Sequence, residues 1–181
     1  MRRVRYQVAM SLDGYIAGPN DEADWILMDP EIDFAGLFAQ FDTFLLGRQT
    51  YEVMRRMSPE MRLARTYVFS RTLRQSDHPD VTIVSDKMEE TVAALRAEAS
   101  GKDIWLFGGG VLFRSLLDAG LVDTVETAVI PVLLGGGKQL LPPPAQRTAL
   151  KLTGHKVYNK TGIVLLEYAV ETRAQATAAS S

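Results

Sequence analysis

Short apolar runs alternate along the chain with segments whose apolar residues recur at helical spacing. The runs predict eight strands, at residues 4–10, 43–46, 66–70, 81–85, 104–107, 124–132, 149–158 and 163–170. Apolar residues recur at i, i+3, i+4 and i+7 from Phe34 to Phe41, which predicts a helix over residues 31–41. Three more helices are predicted: one over 51–57 capped by Thr50, one containing Met88, Val92 and Leu95 and ended by Gly101, and one between Gly110 and Gly120.

Strands that alternate with helices indicate parallel pairing, whereas the turn at residues 159–162 predicts an antiparallel hairpin for the last two strands. The predicted fold class is α/β. It consists of three layers (α/β/α) around one mixed, mostly parallel sheet of about eight strands, with a C-terminal antiparallel hairpin. We expect one domain over residues 1–171 and a flexible tail of small and polar residues over 172–181.

Composition excludes several classes of protein. The 181 residues are 46% hydrophobic and carry a net charge of −2, which argues against coiled coils, wholesale disorder and a surface built to bind nucleic acid or membrane. The absence of cysteine excludes disulfides and thiol catalysis, and two histidines predict no metal site. Neither a signal peptide nor a membrane span is expected, so we predict a cytoplasmic protein.

Three of the predicted strands end in turns with oxyanion-binding chemistry. Gly108, Gly109 and Gly110 follow one strand and open a helix, where backbone N–H groups and the helix dipole favour a phosphate. The other two turns pair a hydroxyl with a guanidinium: Gly47, Arg48 and Thr50 in one, and Ser70 and Arg71 in the other. Each turn alone also fits a tight connection or a surface arginine. Together on one sheet they predict a dinucleotide site, and two arginines favour NADPH over NADH.

Five motifs in this order resemble the dihydrofolate reductase-like superfamily. They lie at residues 9–18, 46–51, 70–72, 106–110 and 131–137, within a likeness that covers about residues 3–170. The branch most similar to them is the C-terminal reductase domain of the bifunctional riboflavin-biosynthesis deaminase/reductase, together with its stand-alone relatives.

The resemblance implies an NADPH-dependent reductase and assigns residues to its site. The implied cofactor-binding residues are Ala9, Ile16 and Gly18 for the nicotinamide, Gly47, Arg48, Thr50, Ser70, Arg71, Gly108, Gly109 and Gly110 for the phosphates, and also Phe107, Leu112 and Phe113. Dihydrofolate reductases carry one catalytic carboxylate on their first helix, and Asp33 and Glu31 both lie near that place. We prefer Asp33, which immediately precedes Phe34, although an exposed carboxylate that only favours the helix dipole fits equally well. We interpret Asp13, Trp25, Phe34 and Leu37 as the substrate side, although the three apolar side chains fit plain core equally well and Asp13 fits a residue that ties down a loop.

The activity implied is reduction of a small heterocyclic or ribosylamino-pyrimidine substrate, like that of 5-amino-6-(5-phosphoribosylamino)uracil reductase. A dihydrofolate or pterin reductase, and an NADPH-binding protein without turnover, remain alternatives. The resemblance also implies a homodimer.

Overall fold

The computed structural model describes residues 1–57 and 64–171. The tail predicted over 172–181 therefore lies outside the described residues. The strands are β1 (Val4–Ser11), β2 (Tyr15–Ala17), β3 (Phe41–Gly47), β4 (Arg65–Phe69), β5 (Thr82–Val84), β6 (Asp103–Gly108), β7 (Thr124–Ile130), β8 (Lys138–Gln139), β9 (Leu150–Tyr158) and β10 (Ile163–Val170). The helices are α1 (Phe34–Phe38), α2 (Arg48–Met57), α3 (Met88–Ala97) and α4 (Gly110–Asp118), and a 3-10 turn spans Gln75–Asp77.

Eight strands form one sheet in the order β5-β4-β3-β6-β1-β7-β10-β9. Neighbours from β5 to β7 pair in parallel, and β10 is antiparallel to both β7 and β9. The predicted mixed sheet and its closing hairpin are therefore confirmed. A separate two-stranded ladder, β2 with β8, ties the loop after β1 to the loop after β7 and was not predicted.

Side chains of β6 alternate between the two faces of the sheet. Ile104 and Leu106 pack with α3 and α4 on one face. Trp105 and Phe107 pack with α1 and α2 on the other. Helices thus cover both faces of the parallel part, as the three-layer prediction requires.

The predicted helix over 31–41 is wrong in extent, because α1 keeps only Phe34–Phe38. Phe41, predicted as its last apolar position, instead begins β3 and packs its ring 4.8 Å from that of Trp105. Two helix boundaries also differ. Thr50 lies inside the first turn of α2 rather than capping it, and α3 ends at Ala97, before Gly101.

Candidate active-site cleft

A cleft of about 1520 Å³ runs along the carboxyl ends of the central strands. The ends of β3, β4 and β6 line one part of it, and β1, β7, β9 and β10 form the floor of the other. The loop over residues 18–33 and helix α1 contribute the opposite wall. Ligands of open parallel sheets bind at this edge.

The three predicted phosphate turns meet in this cleft, since β4, β3 and β6 are adjacent in the sheet. A Cβ added to Gly47 would lie 3.7 Å from the carbonyl oxygen of Gly108, and one added to Gly109 would lie 3.3 Å from Thr50 Oγ1. Arg48 Nη1 donates a 2.8 Å hydrogen bond to Thr72 Oγ1 and so links the second turn to the third. The sequence prediction that these turns converge is confirmed.

The three glycines of the triplet have different structural roles. Gly108 has φ +147°, a conformation that side chains disfavour. A Cβ on Gly110 would come within 2.4 Å of the Gln139 carbonyl oxygen, so α4 can begin there only without a side chain. Gly109 lies at the N-cap of α4 with no side-chain cap and no acidic residue in the first turn, and it lines the cleft.

The two arginines of the turns differ in the hydrogen bonds that their guanidinium groups make. Arg48 bonds both Glu52 and Thr72, whereas Arg71 is exposed at the cleft and has no side-chain partner among the described residues. Ser70 is buried, and its Oγ accepts hydrogen bonds from the Thr72 and Leu73 N–H groups, so it shapes the turn. The N-terminal residues of α2 also line the cleft, and the first turn of this helix contains no acidic residue. Two helix N-termini and two guanidinium groups fit a diphosphate with an additional phosphate.

The floor of the other part is a row of paired residues across four strands. Ala9 of β1 pairs with Ala128, which pairs with Leu165, which pairs with Lys156, and all four line the cleft. Paired residues share one face of a sheet, so small and apolar side chains lead from Ala9 to the lysine. Ile16 of β2 borders the same space.

Both predicted carboxylates lie at the cleft, in different roles. Asp33 Oδ1 accepts a 2.8 Å hydrogen bond from the Gly36 N–H and caps α1. The Glu31 carboxylate has no hydrogen-bond partner among the described residues. Phe34 and Leu37 also line the cleft, as do Phe107 and Leu112.

Four residues predicted to contact a ligand lie outside the cleft lining, and these assignments are corrected. Phe113 is buried in the core and stacks on Tyr6 with ring centroids 3.9 Å apart. Trp25 packs against the apolar cluster around Ile130, and the space at Gly18 is filled by Glu22.

Asp13 is the fourth, and it ties two loops together. Its carboxylate accepts hydrogen bonds from Ser11 Oγ and from the Leu134 and Gly135 N–H groups. The hydrogen bond from the Ser11 hydroxyl is the main cause that lowers the pKa of Asp13; burial opposes it, and the Gly135 and Leu134 N–H groups lower the pKa further. The structure therefore supports the loop-tying interpretation of Asp13 rather than a substrate contact.

Sequence reasoning missed several cleft residues, among them Gln7, Trp105, Lys156 and Tyr158. Gln7 could have been found, because strand alternation places it on the same face as Ala9. Lys156 and Tyr158 depend on the register of β9 against β10, which local sequence does not determine.

No group of His, Asp or Glu side chains suited to a metal ion occurs in residues 1–57 and 64–171. Within the same residues, no helix has the length and apolar character needed to cross a membrane.

Comparison with known proteins agrees with this geometry. The family model of the RibD C-terminal domain matches residues 2–165. The uncharacterized protein YyaP of Bacillus subtilis (strain 168) is 34% identical over 180 residues, which cover 92% of this chain and 94% of YyaP.

Solved structures share the fold at lower identity. A candidate riboflavin biosynthesis protein from Shewanella sp. PV-4 superposes with a TM-score of 0.80 at 23% identity, over 94% of this chain and 99% of that one. A second structure is the diaminohydroxyphosphoribosylaminopyrimidine deaminase/5-amino-6-(5-phosphoribosylamino)uracil reductase of Thermotoga maritima. It superposes with a TM-score of 0.69 at 17% identity, over 94% of this chain and 57% of that one. Dihydrofolate reductase from Enterococcus faecalis, complexed with NADP(H), superposes with a TM-score of 0.68 at 18% identity, over 94% of this chain and 97% of that one. The predicted dihydrofolate reductase-like fold is thereby confirmed.

Proposed function

Since the chain belongs to the RibD C-terminal domain family, we propose that it is an NADPH-dependent reductase of a small heterocyclic substrate of the ribosylamino-pyrimidine type. The observation that carries the proposal is the meeting of three phosphate-binding turns at the ends of β3, β4 and β6. Adjacent parallel strands bring the turns that follow them to one edge of the sheet, and here all three of these turns carry groups suited to a phosphate.

The cofactor end of the cleft is the part around these turns. The N–H groups at the start of α4, with Gly47 and Thr50 opposite them, would hold the diphosphate, and Arg71 and Arg48 would hold the 2′-phosphate. Ala9 and Ile16 would border the nicotinamide. NADPH supplies the hydride when it is bound, and the chain contributes orientation and exclusion of water.

The substrate end of the cleft begins at Ala9 and passes beneath α1. Phe34, Leu37 and Phe38 wall it, and Glu31 stands at its mouth. One Asp33 oxygen already caps α1, so Glu31 is the carboxylate with both oxygens open to a ligand or a water. We assign to Glu31 the relay of any proton that the reduced C=N or C=O bond requires.

The pyrimidine class is supported by the reductase activity in the name of the Thermotoga maritima protein. This chain covers 57% of that protein, and the family model that matches residues 2–165 is that of the RibD C-terminal domain. The fold likeness to dihydrofolate reductase leaves pterins as the competing class.

The proposal is tested by binding and turnover together. NADPH should raise the thermal unfolding temperature of the protein in proportion to the logarithm of its concentration above Kd. NADPH oxidation should then occur with 5-amino-6-(5-phosphoribosylamino)uracil and not with dihydrofolate. Oxidation with dihydrofolate alone would favour a pterin reductase, binding without oxidation would favour a non-catalytic protein, and no thermal shift would contradict the dinucleotide site.

We further propose that the protein is a homodimer, as its family resemblance implies, joined through the sheet face opposite the cleft. Met10, Val129, Val164 and Val157 form a paired apolar row across β1, β7, β10 and β9 on that face. Val157 is 50% exposed, which leaves this apolar row open at its edge.

A further inference from the structure

Lys156 and Tyr158 bring polar groups to the far end of the cleft floor. They lie two residues apart in β9, so they share the cleft face of the sheet, and both line the cleft. The Lys156 Nζ lies over the Tyr158 ring, 4.4 Å from its centroid. This cation–π contact holds the ammonium group at the cleft instead of leaving the long side chain free in solvent.

Both side chains have unused hydrogen-bonding capacity. Tyr158 is only 7% exposed, yet its hydroxyl has no hydrogen-bond partner among the described residues, and unlike the Tyr6 hydroxyl it is not shielded from solvent. Buried tyrosine hydroxyls usually have such a partner. Lys156 forms no ion pair with a carboxylate of residues 1–57 and 64–171. One charged and one neutral donor side by side are suited to an oxyanion that enters the cleft from outside.

The carboxylate on which the Lys156 charge acts already has partners of its own. Asp29 Oδ1 accepts a 2.9 Å hydrogen bond from the Glu31 N–H, and Oδ2 accepts one of 2.7 Å from Thr161 Oγ1. These two bonds are the main causes that lower the pKa of Asp29; burial opposes them, and the charges of Lys160 and Lys156 lower it further. Asp29 is therefore stabilised as an anion without an ion pair, and Lys156 keeps its charge for a ligand.

The paired row on the cleft floor sets the distance from Lys156 to the proposed nicotinamide site. Ala9, Ala128, Leu165 and Lys156 lie side by side on four neighbouring strands. Three strand spacings separate the first residue from the last, which places their Cα atoms about 14 Å apart. A substrate reduced beside Ala9 reaches Lys156 only through an extended substituent that carries the anionic group at its end.

We propose that Lys156 and Tyr158 bind a terminal phosphate of the substrate. The ammonium group supplies the charge and the hydroxyl supplies a second donor, while Ala128 and Leu165 lie beneath the chain that joins the reduced carbon to the phosphate. The inference rests on the proposed reductase function and deepens it, because it assigns the anionic end of a ribosylamino-pyrimidine substrate to β9.

The binding test uses ribose 5-phosphate and ribose as probes. Calorimetry is carried out on protein saturated with NADPH, so that the phosphate turns of the cofactor end are occupied. The wild-type protein should bind ribose 5-phosphate at least about tenfold more tightly than ribose, the effect of one charge-assisted contact. In Lys156→Met, which keeps an apolar stem and removes the charge, this preference should fall to about twofold or less, whereas Lys156→Arg should keep most of it. Lys160→Met is the matched control, because Lys160 is exposed in the hairpin turn and does not line the cleft.

Turnover separates a phosphate contact from a merely structural role. For 5-amino-6-(5-phosphoribosylamino)uracil, Lys156→Met should raise KM by about 10- to 100-fold and leave kcat within about twofold, since the contact is the same in the ground state and the transition state. For the dephosphorylated substrate, KM should be the same in both proteins. Tyr158→Phe loses only the hydroxyl and should raise KM for the phosphorylated substrate by about three- to tenfold. A structural Lys156 would raise KM for both substrates by the same factor.

The phosphate site is overturned if Lys156→Met keeps the wild-type preference for ribose 5-phosphate, or if the wild-type protein has no such preference. It is also overturned if Arg71→Ala abolishes the preference and Lys156→Met does not, since the probe would then bind at the cofactor turns. Failure of the reductase proposal looks different. In that case ribose 5-phosphate binds through Lys156, but NADPH is not oxidised with the phosphorylated pyrimidine.

Discussion

Arg48 and Arg71 follow adjacent strands of one sheet, yet their side chains make different contacts. Arg48 is held by Glu52 and Thr72, so part of its charge is already used in shaping the turn. Arg71 has no side-chain partner among the described residues and lines the cleft. We therefore expect Arg71 to contribute more to the selection of a 2′-phosphate.

Replacing Arg71 by Ala should weaken NADPH binding by about 10- to 100-fold, the effect of losing one charge-assisted contact. NADH binding should change by less than about threefold, since NADH lacks the phosphate. Titration of each dinucleotide against the variant measures both values. Arg74→Ala is the matched control, because Arg74 is exposed nearby but does not line the cleft. Equal losses for NADPH and NADH would contradict the role given to Arg71.

The elements show why part of the site could be read from sequence and part could not. The glycine triplet and the Gly47 turn were found because backbone chemistry at a strand end is local. The failure at α1 arose because Phe41 continues the helical spacing of Phe34, while its tertiary contact with Trp105 belongs to a strand. Helix periodicity alone cannot detect that competition.

The cleft floor was missed for a different reason. Ala128, Leu165 and Lys156 meet Ala9 only through the register of three strand pairs that are distant in sequence. Strand alternation indicates which residues share a face, but it does not indicate which residue of another strand stands beside them. Gln7 alone was accessible to sequence reasoning, because it lies on the strand that carries Ala9.

The hydrogen bonds that Asp13 accepts between two loops should make the stability of the protein depend on pH. Its pKa is lowered by the Ser11 hydroxyl and by the Gly135 and Leu134 N–H groups, so the folded state favours the ionised form. This stabilisation is complete above the ordinary aspartate pKa and is lost as the pH falls through the lowered value.

We expect the free energy of unfolding of the wild-type protein to fall as the pH drops below the ordinary aspartate pKa of about 4, in part through Asp13. In Asp13→Asn that fall should be shallower, and the protein should be less stable at neutral pH. Urea unfolding across this pH range measures both effects. Asp80→Asn changes an exposed residue whose side chain has no hydrogen bond to the residues that the structure describes, and it should leave the wild-type slope unchanged. An Asp13→Asn slope equal to that of the wild-type protein would exclude the contribution.

At the scale of the whole molecule, the cleft and the apolar row of Met10, Val129, Val164 and Val157 lie on opposite faces of the sheet. A stable dimer needs about 800 Å² from each partner, which a face of several strands can supply.

Val157→Glu should convert the proposed homodimer to a monomer, because it places a charge within an apolar contact. Light scattering during size-exclusion chromatography measures the mass. Lys156→Glu changes the neighbouring residue, which points to the cleft face, and should leave the dimer intact. A wild-type protein that is monomeric at micromolar concentration would contradict the proposed dimer.

The aromatic cluster beneath the cleft also gives the protein an intrinsic fluorescent probe of that cleft. Trp105 lies among Phe38, Phe41, Phe44 and Phe107 and borders the cleft directly, while Trp25, the second of the chain's two tryptophans, packs in a different cluster. Reduced nicotinamide absorbs light at the wavelengths where indole fluoresces. In a Trp25→Phe background, occupancy of the cleft would therefore be visible as quenching of a single emitter, and loading and release could be timed without any attached dye.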